Sequence, residues 1–255
     1  AALVPSAAYN GPGYWVNWNR KPWTDVRVRR AVYLALDRQE AINILEKGFA
    51  EVAGFFPPSV EGALSKEELL KMPGYRQPKD QDIAEAKKLL AQAGFPNGFS
   101  VELMQRNDDA SREWAQLVIN QLSRIGIKGQ LKLVAKVVSD QLRETEDFDS
   151  YAIQVTGLMP DPDDYSRFYT GKSTGNYSRN ADPKLVEMFQ AQRTELNPTR
   201  RAKIVRDLEL YMQEVALGAP LYWAPFNMAR WPQVRGFNYM NYNMNVRFQN
   251  VWLAQ

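Results

Sequence analysis

Apolar residues along this chain follow a helical period in some stretches and cluster in short runs in others. Val28, Ala31, Val32, Ala35 and Ile42 fall on one stripe after a Lys21-Pro22-Trp23 breaker, with Thr24 or Asp25 placed to cap and Gly48 to stop. The same spacing predicts helices over 82–93 (Ile83, Ala86, Leu89, Leu90) and 111–125 (Trp114, Leu117, Val118, Leu122, Ile125), ended by Gly94 and Gly126. Prolines at helix starts predict two more, over 183–195 and 198–215, and shorter helices fit 65–71 and 138–144. Between them, 14–19 (YWVNWN), 99–104, 130–135, 151–156 and 220–226 have strand character. Strands separated by helices predict an α/β fold with crossovers packed on a sheet. No repeat of solenoid length is present. The tail over 237–250 interleaves asparagine with aromatics and methionine (FNYMNYNMN), as an edge element of a larger body would.

Composition removes several chemistries. The 255 residues include no cysteine and no histidine. That excludes disulfide frameworks, thiolate zinc sites, iron–sulfur clusters, thiol nucleophiles, the common catalytic triads and HExxH metal sites. Lys+Arg number 32 against 29 Asp+Glu, a formal net charge of +3. Arg27, Arg29 and Arg30 lie among Asp25, Asp37 and Glu40, so they read as a solvated helix face and no nucleic-acid partner is expected. The longest apolar run, 31–36, is far short of the roughly 20 residues of a membrane span and predicts a soluble chain. Residues 1–13 lack a basic n-region and a long apolar h-region; for an exported protein, the targeting segment lies outside this sequence. With no Gly-rich phosphate loop and no GxSxG elbow, the expectation is a binding module that is not an enzyme and uses no cofactor or metal.

Three groups of residues are candidates for chemistry. The acidic string Asp161-Pro162-Asp163-Asp164-Tyr165 offers paired carboxylates for acid–base work or a hard cation. It is also a turn and helix-cap sequence, and it lacks the spaced ligand set of a calcium loop. Trp15, Trp18, Tyr222, Trp223 and Trp231 either stack on a ligand or pack a core. Arg106, just beyond the strand over 99–104, is placed to take a carboxylate bidentately, or is an exposed loop cation.

The string NRKPWTDVRVRRAVYLALDRQEAI (19–42) opens an ordered series of motifs. It continues through Pro73-Gly74-Tyr75 with DIAEAKKLLAQAGFPNG (82–98), QLSRIGI (121–127), Phe148-Asp149, and Gly157 with DPDDY (161–165). Residues 177–185, Ala219-Pro220 and VRGF (234–237) complete it. In this order, over nearly the whole chain, the series resembles the extracytoplasmic solute-binding proteins of family 5, the peptide and nickel class serving ABC transporters.

The resemblance implies the C-terminal lobe of a two-lobed periplasmic binding protein, type II-like, with a mixed sheet and flanking helices. Residues 1–13 would then approach from the N-terminal lobe, 14–233 would form the C-terminal lobe with its hinge strands, and 234–255 would return to the N-terminal lobe. The implied function is capture of a peptide-like or other small organic solute between the lobes and delivery to a membrane permease. The protein would be periplasmic, or lipid-anchored outside a Gram-positive cell, and monomeric at full length. The implied contacts are Trp18, Gln105, Arg106, Asn107, Gly157, Leu158, Met159, Asp161 and Tyr222, with Trp18, Arg106, Met159 and Tyr222 on one exposed concave face. Arg106 matches the arginine that holds the peptide carboxylate in dipeptide binders. The chain departs from those binders at Gly157-Leu158-Met159-Pro160, where they place an aspartate for the α-amino group. An ammonium there would lack its counter-charge, so the solute is expected to lack a free α-amino group. Two rival functions stand beside this one: a hydrolase using Asp161 and Asp163, and an interaction module using the aromatic tail.

Overall fold

Local capping chemistry divides the first helical stripe in two. Asp25 caps α1 (Val26–Ala35) by accepting the Arg27 N–H at 2.8 Å, and Asp37 caps α2 (Arg38–Leu45) by accepting the Glu40 N–H at 3.0 Å. Leu36 between them is extended, so the single helix expected from the periodicity is broken where an aspartate side chain competes for backbone donors. The computed structural model describes residues 2–52, 54–157, 159–171, 175–237 and 249–254. Ser65 and Glu68 form a reciprocal capping box on the one-turn α3 (Lys66–Leu69). The other helices are α4 (Asp80–Gln92), α5 (Asp109–Ser123), α6 (Lys136–Glu144), α7 (Pro162–Tyr169), α8 (Pro183–Thr194) and α9 (Pro198–Glu214). Proline occupies the first turn of the last three.

The strands are β1 (Ala2–Val16), β2 (Ser100–Arg106), β3 (Lys128–Val134), β4 (Ser150–Gly157), β5 (Ala219–Pro220) and β6 (Ala224–Arg230). They form one mixed sheet in the order β3-β2-β4-β1-β5, with β6 also paired to β1. β2 runs parallel to β3 and β4, whereas β1 is antiparallel to β4, β5 and β6. Two strand expectations change. The strand predicted over 14–19 begins at Ala2 and ends at Val16, and the one over 220–226 is split at 221–223. The split follows from Trp223, which leaves the ladder to exchange 2.9 Å backbone hydrogen bonds with Glu51.

Helices cover both faces: α5 packs on β2, β3 and β4, while α6 packs on β2 and α7 on β4. Val101 and Leu103 join the main core with Leu117, Val118 and Leu122, whereas Met104 turns to a smaller cluster with Phe148 and Tyr151, the alternation a strand imposes. Arg29 corrects the reading of a solvated cationic face. It is buried, its Cζ lies 3.7 Å from the Trp18 ring centroid, and it donates to the carbonyls of Trp23 and Val215. Burial lowers its pKa to about 10.

The tail pairs β7 (Val234–Arg235) with β8 (Trp252–Leu253) in a separate antiparallel sheet. Most of the aromatic tail, 238–248, lies outside the described residues. Among the described residues, no helix is long and apolar enough to cross a membrane.

One buried carboxylate fixes a long connection to the body. Glu209 of α9 is fully buried and accepts the backbone N–H groups of Phe56 at 3.2 Å and Leu64 at 2.7 Å. A Cβ on Gly54 would lie 2.0 Å from Glu209 Oε1, so glycine is needed for this approach. Burial, opposed by the backbone donors, raises the carboxyl from 4.5 to about 7. The folded state thus holds this proton more tightly than the unfolded chain. The contribution is complete below about 4.5 and is lost as pH rises towards about 7. Glu209→Gln should flatten that slope, removing a pH-dependent difference on the order of 3 kcal/mol. Urea unfolding at pH 5 and pH 8 checks this, and equal slopes in both proteins would contradict it.

Candidate ligand-binding site

Parallel strands place the loops that follow them at one edge of the sheet, where α/β proteins bind ligands. Here β2 ends at Arg106, β3 at Val134 and β4 at Gly157. Antiparallel β1 brings Asn10 to the same edge, opposite Thr156, and the Thr156 hydroxyl donates to Asn10 Oδ1 at 3.1 Å.

Arg106, half-buried, and Met159, exposed, lie at this edge. The Arg106 guanidinium is about one-third exposed and 3.8 Å from Asp108, too long for a tight pair. Met159 is 47% exposed, and its N–H donates to Asp164 Oδ2 at 3.2 Å. Asn107 is exposed beside Arg106, with its Oδ1 already accepting from Arg112 at 2.8 Å. Gly157 closes β4 opposite Tyr9, and Leu158 lies outside the described residues.

The remaining expected contacts need correction. Gln105 is buried and holds its own turn, donating to Ser111 O and accepting the Arg106 N–H, both at 3.0 Å. Trp18 lies at the opposite edge. Because β1 is antiparallel to β4, its end meets the start of β4: Asn17 N–H donates to Asp149 O, and the Trp18 ring is capped by Arg29. Tyr222 is fully buried, and its hydroxyl donates to Glu46 Oε1 at 2.8 Å. The four residues expected on one concave face are therefore divided between this edge, the far edge and the core. Of the other aromatics, Trp15 and Trp223 are core residues, while Trp231 is 69% exposed.

Two concavities flank the end of β4 and share Arg167. One, of about 540 Å³, is lined by Met159, Asp161, Asp163, Asp164, Arg167, Arg193 and Arg201. Its charges are matched: Asp161 pairs with Arg201 at 2.9 Å, Asp163 with Arg193 at 2.7 Å, and Asp164 lies 3.5 Å from Arg167. Asp161 also caps α7, accepting the Asp163 N–H at 2.9 Å. The acidic string is thus a cap and a salt-bridge array. Among the described residues, no group of three acids is placed to hold a metal.

The second concavity, of about 460 Å³, is lined by Arg143, Gln154, Thr156, Arg167, Phe168, Gly175 and Tyr177, with no carboxylate. Burial raises Tyr177 to about 12, opposed by the nearby guanidiniums of Arg143, Arg167 and Arg106. Sequence reasoning missed this cluster because its residues come from α6, β4, α7 and a later loop. The available signal was Tyr177, which opens one of the family-like motifs.

A model of the bacterial extracellular solute-binding proteins, family 5 (middle), matches residues 4–177. The chain belongs to this family. The family consists of extracellular or periplasmic solute-binding proteins rather than enzymes. The chain is 31% identical over 181 residues to the glutathione-binding protein GsiB of Salmonella choleraesuis (strain SC-B67), covering 69% of this chain and 30% of that protein. The family 5 fold is shared with HbpA2 from Haemophilus parasuis: TM-score 0.84 at 23% identity, over 100% of this chain and 50% of that one. The periplasmic binding protein DppA from Helicobacter pylori, in complex with the peptide STSA, gives a TM-score of 0.80 at 19% identity, over 100% and 49%. The chain thus spans about half the length of these solved relatives and about 30% of GsiB.

Asp161→Ala should act on this family 5 chain through folding. Loss of the α7 cap and of the Arg201 partner should lower stability by about 1–2 kcal/mol, with Asp161→Asn keeping most of the cap. Thermal unfolding of the two variants measures the difference.

Proposed function

We propose that this chain is one jaw of a solute-binding protein that captures a small, carboxylate-bearing, peptide-like solute and delivers it to an ABC permease. The observation that carries this reading is the edge itself. Arg106 stands half-buried and loosely paired at the end of β2, near Tyr177 of a concavity lined by two further arginines and no acid. A desolvated carboxylate at such an edge gains charge-assisted, bidentate hydrogen bonds.

The other jaw lies in the remainder of the protein, with 14–233 forming this lobe and 1–13 and 234–255 leading to its partner. The sheet bears on that division through a break nearer the start of the chain, since residues 9–13 still pair with 153–157 of β4 inside the main sheet. Residues 2–5 of β1 pair only with 227–230 of β6, beyond a register shift between Pro5 and Tyr9, as a two-stranded ribbon leaving the sheet. The small β7–β8 sheet also stands apart from the main one. Closure of the jaws would desolvate the solute and create the form a permease reads. The working location is outside the cytoplasm, periplasmic or lipid-anchored in a Gram-positive host, and the full-length protein is a monomer.

The solute needs no free α-amino group. Residues 157–160 contain no acid, and Asp161, Asp163 and Asp164 are engaged by Arg201, Arg193 and the Met159 N–H. Calorimetry on the full-length protein tests the reading with glutathione, for which GsiB is named, an unmodified dipeptide and its N-acetyl form. The acetylated peptide should bind at least as tightly as the free one, and Arg106→Gln should weaken carboxylate solutes by about tenfold. A free dipeptide that binds more than about tenfold tighter than its acetylated form would overturn the amino-group reading.

A further inference from the structure

A cavity of about 220 Å³ opens between α1, the loop after α3 and the last turns of α9, with no lining residue from β2, β4 or the loops that follow them. That is the volume of about seven waters, and it falls below the roughly 300 Å³ at which sites for drug-sized ligands begin. Leu34, Met72 and Leu210 contribute to a largely apolar wall, among which stand three polar side chains, Arg30, Gln213 and Glu214.

All three polar groups are uncommitted. Gln213 is 7% exposed, and neither its Oε1 nor its Nε2 has a hydrogen-bond partner among the described residues. A buried amide left unpaired destabilises a fold, and an apolar side chain of similar shape would remove that cost. Arg30 is half-buried and Glu214 exposed, and neither has an ion-pair or side-chain hydrogen-bond partner among the described residues. They therefore do not pair with each other, although both line one small cavity. Glu214 is also the last residue of α9, where the helix dipole disfavours a carboxylate and favours a cation.

A cation and a carboxylate too far apart to pair complement the two charges of a zwitterion. An amide, with both donor and acceptor, is best matched by another amide. We infer that this cavity binds a free α-amino acid with a carboxamide side chain. Its carboxylate goes to Arg30, its ammonium to Glu214 and its amide to Gln213, while its methylenes lie on the apolar wall. Both amide atoms of Gln213 are shielded from solvent, so a turn about its side-chain torsions accompanies binding. This site is separate from solute capture at Arg106 and does not rest on that reading.

Calorimetry on the full-length protein tests it with glutamine and asparagine, against methionine, which lacks the amide, and N-acetylglutamine, which lacks the ammonium. At least one of the two amides should bind about tenfold tighter than either control. Gln213→Met and Arg30→Gln should each weaken that amino acid about tenfold and leave carboxylate solutes at Arg106 unchanged. Gln213→Met should also raise the Tm of the ligand-free protein, because it removes an unpaired buried amide. Arg30 has no partner to lose, so its variant keeps the binding test decisive if Gln213→Met impairs folding. Absence of binding by both amides, or binding that survives Arg30→Gln, would overturn the site. A lowered Tm for Gln213→Met would also count against it, since the amide would then serve the fold.

Discussion

The architecture of the sheet depends on β1, which is threaded antiparallel through it and held there by close aromatic packing on glycine backbone. A Cβ on Gly11 would lie 2.6 Å from the Trp223 ring, and one on Gly218, just before β5, would lie 2.2 Å from the Trp15 ring. Neither indole could lie so near the backbone over a larger residue. Trp15 then contacts Phe55, Tyr169 and Tyr177 at 5.7–6.3 Å between centroids, and Trp223 donates its indole N–H to Gly54 O. This packing ties β1 and the return strands to the 54–64 connection, which Glu209 anchors from the other side.

The direction of β1 also decides which residues share the edge where β2 and β4 end. With β4 parallel to β2 and β1 antiparallel to both, the ends of β2 and β4 share an edge with the Asn10 region, and residues 17–18 lie at the other. Arg106 is thereby brought near Tyr177, which Arg143 and Arg167 also approach, while Trp18 is sent to the far side under Arg29. The two neighbouring concavities differ mainly in charge compensation. In one, three aspartates and three arginines line the wall together; in the other, two arginines and aromatic rings line the wall, and the aspartates those arginines pair with, Asp140 and Asp164, lie outside the lining.

Much of the helical framework was legible in the sequence because capping and stopping are local. Asp25, Ser65, Pro183 and Pro198 act through neighbours within a turn, and Gly94 and Gly126 adopt the positive φ that a helix stop needs. Asp37 shows the limit: an apolar stripe continued past it, but its side chain captured the Glu40 N–H and ended the periodicity. Of the residues expected at the site, the place of Arg106 at the end of a strand could be read, since the chain direction there follows from the parallel crossover. Tyr222 could not, because only its neighbours show that the hydroxyl is spent on Glu46 and the ring is enclosed.

The sequence by itself determined the α/β class, the order of its elements, the family-like motif series and the absence of thiol and imidazole chemistry, all of which follow from residue type and short-range spacing. Only the tertiary structure decided that Gln105 serves its own turn, that Asp161 is a cap paired with Arg201, and that Arg143, Arg167 and Tyr177 meet at one concavity. Gln105 closes a local turn, but Asp161 and Arg201, and Arg143, Arg167 and Tyr177, are separated along the chain by more than the reach of any helical or strand period. Their meeting depends on strand order and direction, which are set by the packing of the whole core.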